Sequence, residues 1–390
     1  MDYPRFVFTL PLPLTFFPFC LNISKESGHG PTWMAPTHVT PLKIWLEKLI
    51  HTRFLTFFSP CIWGGADGYP RIRSFFHGTA LGRSLTNAFW AILGNDVCTL
   101  NKYDSHPEMA KLKPWSDAFF IGASGLSILN HETDFFELVR NGTVSVHIAD
   151  IEGLAPNTVK LNHGEKLAID ALVCGTGWRH TPALDFLPAD LDLGLPHPPG
   201  ADSDVPALTK KADNEILTRF PRLKEQPQPR KHYRPMTEIN GLSDPTGAVA
   251  EERQESFTHY RFMVPPSTVK DCDIAFMGYM LTISVPIIAQ AQALWVTAYF
   301  SGKEGAVNIP KDEALVRYQS VLHSRYAKWR YPEGFSTFPD FVFDAVPYLD
   351  LLLGDLGLKV HRKGGWRELF RPYGPEDYKG LVGEWQTLSL

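Results

Sequence analysis

The most regular alternation of apolar and polar positions lies between residues 143 and 178. Val144, Val146 and Ile148 alternate with polar residues, which predicts a half-buried strand. Val159 to Leu161 and Lys166 to Ile169 flank Asn162-His163-Gly164-Glu165, a hairpin pattern with a glycine where the loop needs positive φ. Ala171 to Cys174 is continuously apolar and predicts a strand buried on both faces, stopping abruptly at Gly175-Thr176-Gly177-Trp178. In open α/β sheets ligands sit beyond the carboxyl ends of such strands, and two glycines let the backbone approach a flat cofactor. A second apolar run, Asp273 to Met277, predicts a strand ending at Gly278. Pro286 then opens a helix through Ala289, Ala293, Leu294, Val296 and Ala298, with Gly302 just past its end.

Nearer the start, Thr40 and Pro41 suit the cap and first turn of a helix over residues 40–58. Its apolar positions Leu42, Trp45, Leu46, Leu49 and Ile50 recur at three- and four-residue steps. Lys43, Lys48 and Arg53 on the other side allow either an interfacial membrane helix or packing on a protein core. Residues 187–256 are proline-rich with little periodicity and read as a long lid or insert. The cluster Arg230 to Arg234 within them suits either a phosphate contact or a solvated surface. From Phe6 to Ser24 there is no charge, but Pro11, Pro13 and Pro18 interrupt any anchor or signal helix, each costing about 3 kcal/mol. Phe, Leu, Pro and Ser share pyrimidine-rich codons, so residues 1–21 are expected to be an atypical start, such as a translated intron tail.

Composition narrows the classes. At 390 residues, one large or two ordinary domains fit, and 44% hydrophobic residues can build a substantial core. The excess of Gly and Pro points to long irregular connections. A net charge of −4 supplies no whole-chain basic field for nucleic acid. Five cysteines, an odd number without a Cys-x-x-Cys, exclude a zinc ribbon and fit a reducing compartment such as the cytoplasm. Cys174 is expected to be a small core residue. The fourteen histidines show no metal-ligand spacing and are expected to be scattered. Gly122-Ala123-Ser124-Gly125 misses the nucleophile-elbow pattern because Leu126 takes the final glycine position.

Asp170 to Trp178, Ile274 to Gly278 and Ala289 to Trp295, in that order, resemble the C-terminal half of class B flavin-dependent monooxygenases. The fungal branch of secondary-metabolite and polyketide pathways is the nearest in pattern. Its tail is similar to Val346 to Asp350 and Pro372 to Tyr378, and the resemblance covers residues 22–390. Asn22 to Gly28 resembles the end of the second strand of the NADPH subdomain, with Lys25 where the family places an Arg for the 2′-phosphate. Lys is a point charge without the guanidinium fork, which weakens the NADPH preference. Gly175-Thr176-Gly177 stands for the family's Ala-Thr-Gly, and Gln290 replaces a Glu. The two Gly-x-Gly-x-x-Gly fingerprints that precede these blocks in the family do not occur here. The resemblance therefore implies a member lacking on the order of one domain, about 100–150 residues.

What it implies is an α/β chain with a partial two-dinucleotide-binding-domain flavoprotein fold and an irregular insert. Residues 22–186 would be the remnant NADPH-binding domain, 187–256 the insert or lid, and 257–390 the C-terminal part of the FAD domain. The implied cofactors are FAD and NADPH; the implied co-substrates are O2 and a lipophilic molecule of polyketide type. Gly175, Thr176 and Gly177 would lie at the flavin–nicotinamide junction, Gly278, Thr282 and Gln292 on the FAD side, and Lys25 and Ser27 at the NADPH phosphate. The helix opened by Pro286 could turn its positive end toward the reduced flavin. Two other classes remain open: a non-redox binding or accessory protein of the same pathway, and a membrane-associated scaffold held by the N-terminus.

Overall fold

The computed structural model describes residues 6–8, 19–23, 33–40, 43–114, 116–117, 127–129, 132–149, 151–175, 186–188, 192–195, 205–226, 257–280, 282–331 and 341–388. Five short strands come first: β1 (Phe6–Phe8), β2 (Phe19–Ile23), β3 (Met34–Pro36), β4 (His38–Val39) and β5 (Ile44–Trp45). Helices α1 (Leu46–Ile50), α2 (Arg53–Thr56), α3 (Pro70–Gly78), α4 (Ala80–Asn101) and α5 (Pro107–Ala110) follow. Strand β6 (Ser127–Leu129) and helix α6 (Phe135–Arg140) lead into β7 (Val144–Ile148), β8 (Ile151–Ala155), β9 (Thr158–Leu161), β10 (Lys166–Ala168) and β11 (Val173–Gly175). The remainder is helical: α7 (Val205–Arg219), α8 (Val285–Phe300), α9 (Glu313–Arg330), α10 (Ala345–Asp355), α11 (Arg367–Phe370) and α12 (Leu381–Leu388).

The strands form a four-stranded sheet in the order β11-β1-β2-β7, with β1 antiparallel to both neighbours and β2 parallel to β7. The predicted alternation holds in β7, where Val144 and Val146 are buried above Met109, Leu112, Phe136 and Val139. The predicted hairpin is β9–β10, joined to β8 in an antiparallel three-stranded sheet, and Gly164 takes the left-handed turn at φ +92°. Strand β11 departs from expectation, because Val173 and Cys174 are exposed rather than buried on both faces. Its partner β1 hydrogen-bonds one edge only, and no strand lies beyond β11 among the described residues.

Most of the apolar mass is C-terminal. Helices α8, α9 and α10 pack with residues 257–264 and with Leu46, Ile50 and Leu55 from the other end of the chain. Trp63 sits among Phe262, His323, Tyr326 and Phe341, each edge-on with ring centroids 5.0–5.9 Å away. Helix α8 starts and stops where the sequence says: Pro286 lies in its first turn and Gly302 follows its C-cap at φ +61°.

Three expectations are corrected. Residues 40–58 do not form one helix. Thr40 donates its amide and its hydroxyl to the two carboxylate oxygens of Asp96 instead of capping, β5 intervenes, and the chain breaks at Thr52, whose hydroxyl accepts from Leu55 N to start α2. Leu46 and Ile50 still pack on the core, and Arg53 on the supposed outer face is fully buried, so the interfacial reading falls. No described helix is long and apolar enough to cross a membrane. Residues 273–277 pair with no strand among the described residues; Phe276 N donates to Met263 O at 2.7 Å. The insert holds a regular helix, α7, whose Ala212 and Ile216 are buried and whose Asp213 pairs with Arg325 of α9. Its core-facing positions, Leu208, Ala212, Ile216 and Leu217, are few and set among charged neighbours, which masks the pattern in the sequence.

Candidate functional site at the start of helix α8

The approach to α8 begins at Gly278, exposed, with φ +86° and open space where a Cβ would point. Such a backbone conformation is routine only for glycine. Met280 then turns inward and Thr282 accepts a bond from Ser284 N at 3.2 Å. Ser284 occupies the N-cap position of α8, yet its side chain makes no cap bond. Pro286 has no N–H to offer, and Val285 and Pro286 are exposed. The helix therefore presents an uncapped N-terminus, which carries roughly half a positive charge.

Helix α10 fixes the direction of α8 through two polar contacts. Gln292 Nε2 donates to Tyr348 Oη at 3.0 Å, and Tyr348 in turn donates to the Arg261 carbonyl at 2.7 Å. Gln292 Nε2 also meets Met280 Sδ at 3.1 Å, holding the loop down on the helix. One turn on, Trp295 Nε1 donates to Asp355 Oδ2 at 3.0 Å, and Asp355 is held by Arg261 at 2.7 and 3.0 Å. Gln292 is thus almost wholly buried and spent on neighbours inside the protein.

Behind the loop, Ser284 Oγ bonds His51 Nε2, and His51 Nδ1 faces the Glu47 carbonyl at 2.5 Å. Burial lowers the His51 pKa against the opposing pull of Glu47. Two residues further, Arg53 binds Asp350 with two nitrogens and Glu368 with a third, and Tyr373 donates to Glu368. Burial alone would lower the Arg53 pKa, but the bond and charge of Asp350 outweigh it and raise it.

Gly278 and Thr282 therefore stand at the approach to α8, whereas Gln292 lies within the helix and is turned inward toward α10. Gly175 lies elsewhere, at the end of β11 opposite Phe6. Thr176, Gly177, Lys25 and Ser27 lie outside the described residues, as do Ser124 and the cluster Arg230 to Arg234. Sequence reasoning did not single out His51 or Ser284; 233 residues separate them, and no local spacing announces the pair. Among the described residues, no group of three His, Cys, Asp or Glu could hold a metal ion.

No family model matches the chain. It is 29% identical to the FAD-dependent monooxygenase rstn6 of Aspergillus nomiae, a match that takes in 93% of this chain and 61% of that protein. It is 28% identical to the FAD-dependent monooxygenase DEP4 of Fusarium langsethiae, over 94% of this chain and 60% of that one. With the FAD-dependent monooxygenase resA of Aspergillus sclerotiorum it shares 29% identity over 93% and 61%. The chain spans about three-fifths of the length of the curated relatives it matches.

Proposed function

We propose that this protein is an FAD-dependent monooxygenase that uses NADPH and O2 to oxygenate a lipophilic secondary-metabolite intermediate of polyketide type, in the cytoplasm. The observation that carries the reading is similarity over 93% of the chain to a protein named FAD-dependent monooxygenase, of which it covers 61%. The residues at the α8 entrance fit the pyrimidine end of a flavin. Gly278 leaves open space beside the backbone, and the Ser284 side chain does not cap the first turn of the helix.

When bound, FAD supplies the electron transfer from NADPH to O2 and the delivery of one oxygen atom to the substrate. The chain's own residues bind and orient. The N-terminus of α8 would offset negative charge on a flavin held there, Thr282 would shape the approach, and Gln292 ties the loop and α8 to α10. Gly175, Thr176 and Gly177 would border the nicotinamide junction, with Lys25 and Ser27 at the 2′-phosphate. In this arrangement residues 22–186 and 257–390 serve as the two nucleotide-binding units, and 187–256 closes over them.

The test is reconstitution. Purified chain incubated with FAD and desalted is expected to retain absorbance near about 450 nm, to consume NADPH in proportion to bound flavin, and to transfer label from 18O2 into product. Colourless protein that still binds lipophilic ligands would instead select a non-redox accessory role.

A further inference from the structure

His51 leaves the carboxyl end of α1, and Ser284 immediately precedes α8. Both side chains are buried, with 8% and 5% of their surface exposed. The Glu47 carbonyl facing Nδ1 can only accept, so Nδ1 carries the ring proton. Burial disfavours a second proton on the ring, so Nε2 presents a lone pair and the Ser284 hydroxyl donates to it. A serine at an N-cap ordinarily turns its oxygen back onto the amides of the first turn. Thr52, Thr79, Asp134 and Asp312 do so at the starts of α2, α4, α6 and α9; Ser284 does not.

We propose that His51 is a positioning residue that holds the Ser284 hydroxyl away from the first turn of α8, keeping the Ile287 amide uncapped for the anionic edge of the flavin. The identity of that ligand rests on the FAD reading. The hydrogen bond and its effect on the helix belong to the chain alone.

Two measurements on the full chain decide it. In hydrogen exchange, His51→Leu frees Ser284 to cap α8, so the Ile287 amide, the one a cap can reach beyond Pro286, exchanges more slowly than in the parent. His51→Gln, whose amide can still accept from Ser284 and donate to Glu47, leaves it unchanged. In FAD titrations followed by fluorescence quenching, His51→Leu weakens binding about tenfold, the scale of one hydrogen bond. Adding Ser284→Ala to His51→Leu removes the competing cap and restores affinity to within about threefold. Faster exchange in His51→Leu, or no recovery in the double variant, would mark His51 as a mere strut and overturn the proposal. If the parent binds no FAD while His51→Leu still slows exchange, the positioning role stands and the flavin reading falls.

Discussion

A guanidinium with no exposed surface is tolerable only while its carboxylates stay with it. Arg53 meets Asp350 and Glu368 in that way, and neither acid can reach water without the surrounding helices parting. Arg53→Met is expected to destabilise the fold by about 3–5 kcal/mol, because it strands two buried carboxylates. Urea denaturation measures this, and Arg53→Met with Asp350→Leu should recover part of the loss. Histidines act with the opposite sign of charge. Burial, then the nearby Arg73, lowers His77 to about 3, and burial lowers His259 to about 3 against its bond to the Leu193 carbonyl. Both rings are neutral in the folded chain and take a proton near 6.5 when it unfolds. Their contribution is whole above pH 6.5 and drains as pH falls toward 3, by up to about 1.4 kcal/mol per pH unit for each ring. Replacing either with Gln should flatten the slope of unfolding free energy between pH 6 and 4 by about that amount. An unaltered slope would mean that the ring is already charged in the native protein.

Elements follow the sequence where their signals are local. Helix α8 was legible because Pro286 and Gly302 act within a turn of its ends. The span 40–58 was not, since the fate of the Thr40 hydroxyl is decided by Asp96, 56 residues away. The run at 273–277 has the composition of a strand, but a strand needs a neighbour, and among the described residues Met263 alone offers it a backbone bond. Close approach of elements is equally hidden. A Cβ on Gly82 of α4 would lie 1.9 Å from the Phe75 carbonyl oxygen and 2.7 Å from Phe76 Cα in α3. Gly82→Ala should therefore force α3 and α4 apart and cost about 1–3 kcal/mol, read from thermal melting. At Gly302 the backbone rather than space is limiting; Ala there is expected to cost about 1 kcal/mol.

On the scale of the whole molecule, the sequence marks the approach to α8 but not what the inner face of that helix touches. Gly278 and Thr282 do stand at the mouth of α8, whereas Gln292 works from inside, as a tie between α8 and α10. The tie shows only once α10 is placed, because a sequence does not say which face of an almost wholly apolar helix is turned inward. The cores also differ in extent. The C-terminal one gathers residues from 33 to 381, whereas the one beneath β7 rests on seven buried side chains. Limited proteolysis or hydrogen exchange should show β7 to β11 opening at lower free energy than α8 to α10. Equal protection would mean that the two cores unfold as one.

Arg53 and Asp350 are 297 positions apart. At a synthesis rate of about 5–20 residues per second, the nascent chain carries its guanidinium for roughly 15–60 s before the first of its acids leaves the ribosome. Throughout that interval the segment around α2 stays hydrated and must be kept from premature collapse. The ion cluster thus acts as a late latch, which cannot close until the segment carrying Asp350 has followed α2 out of the ribosome.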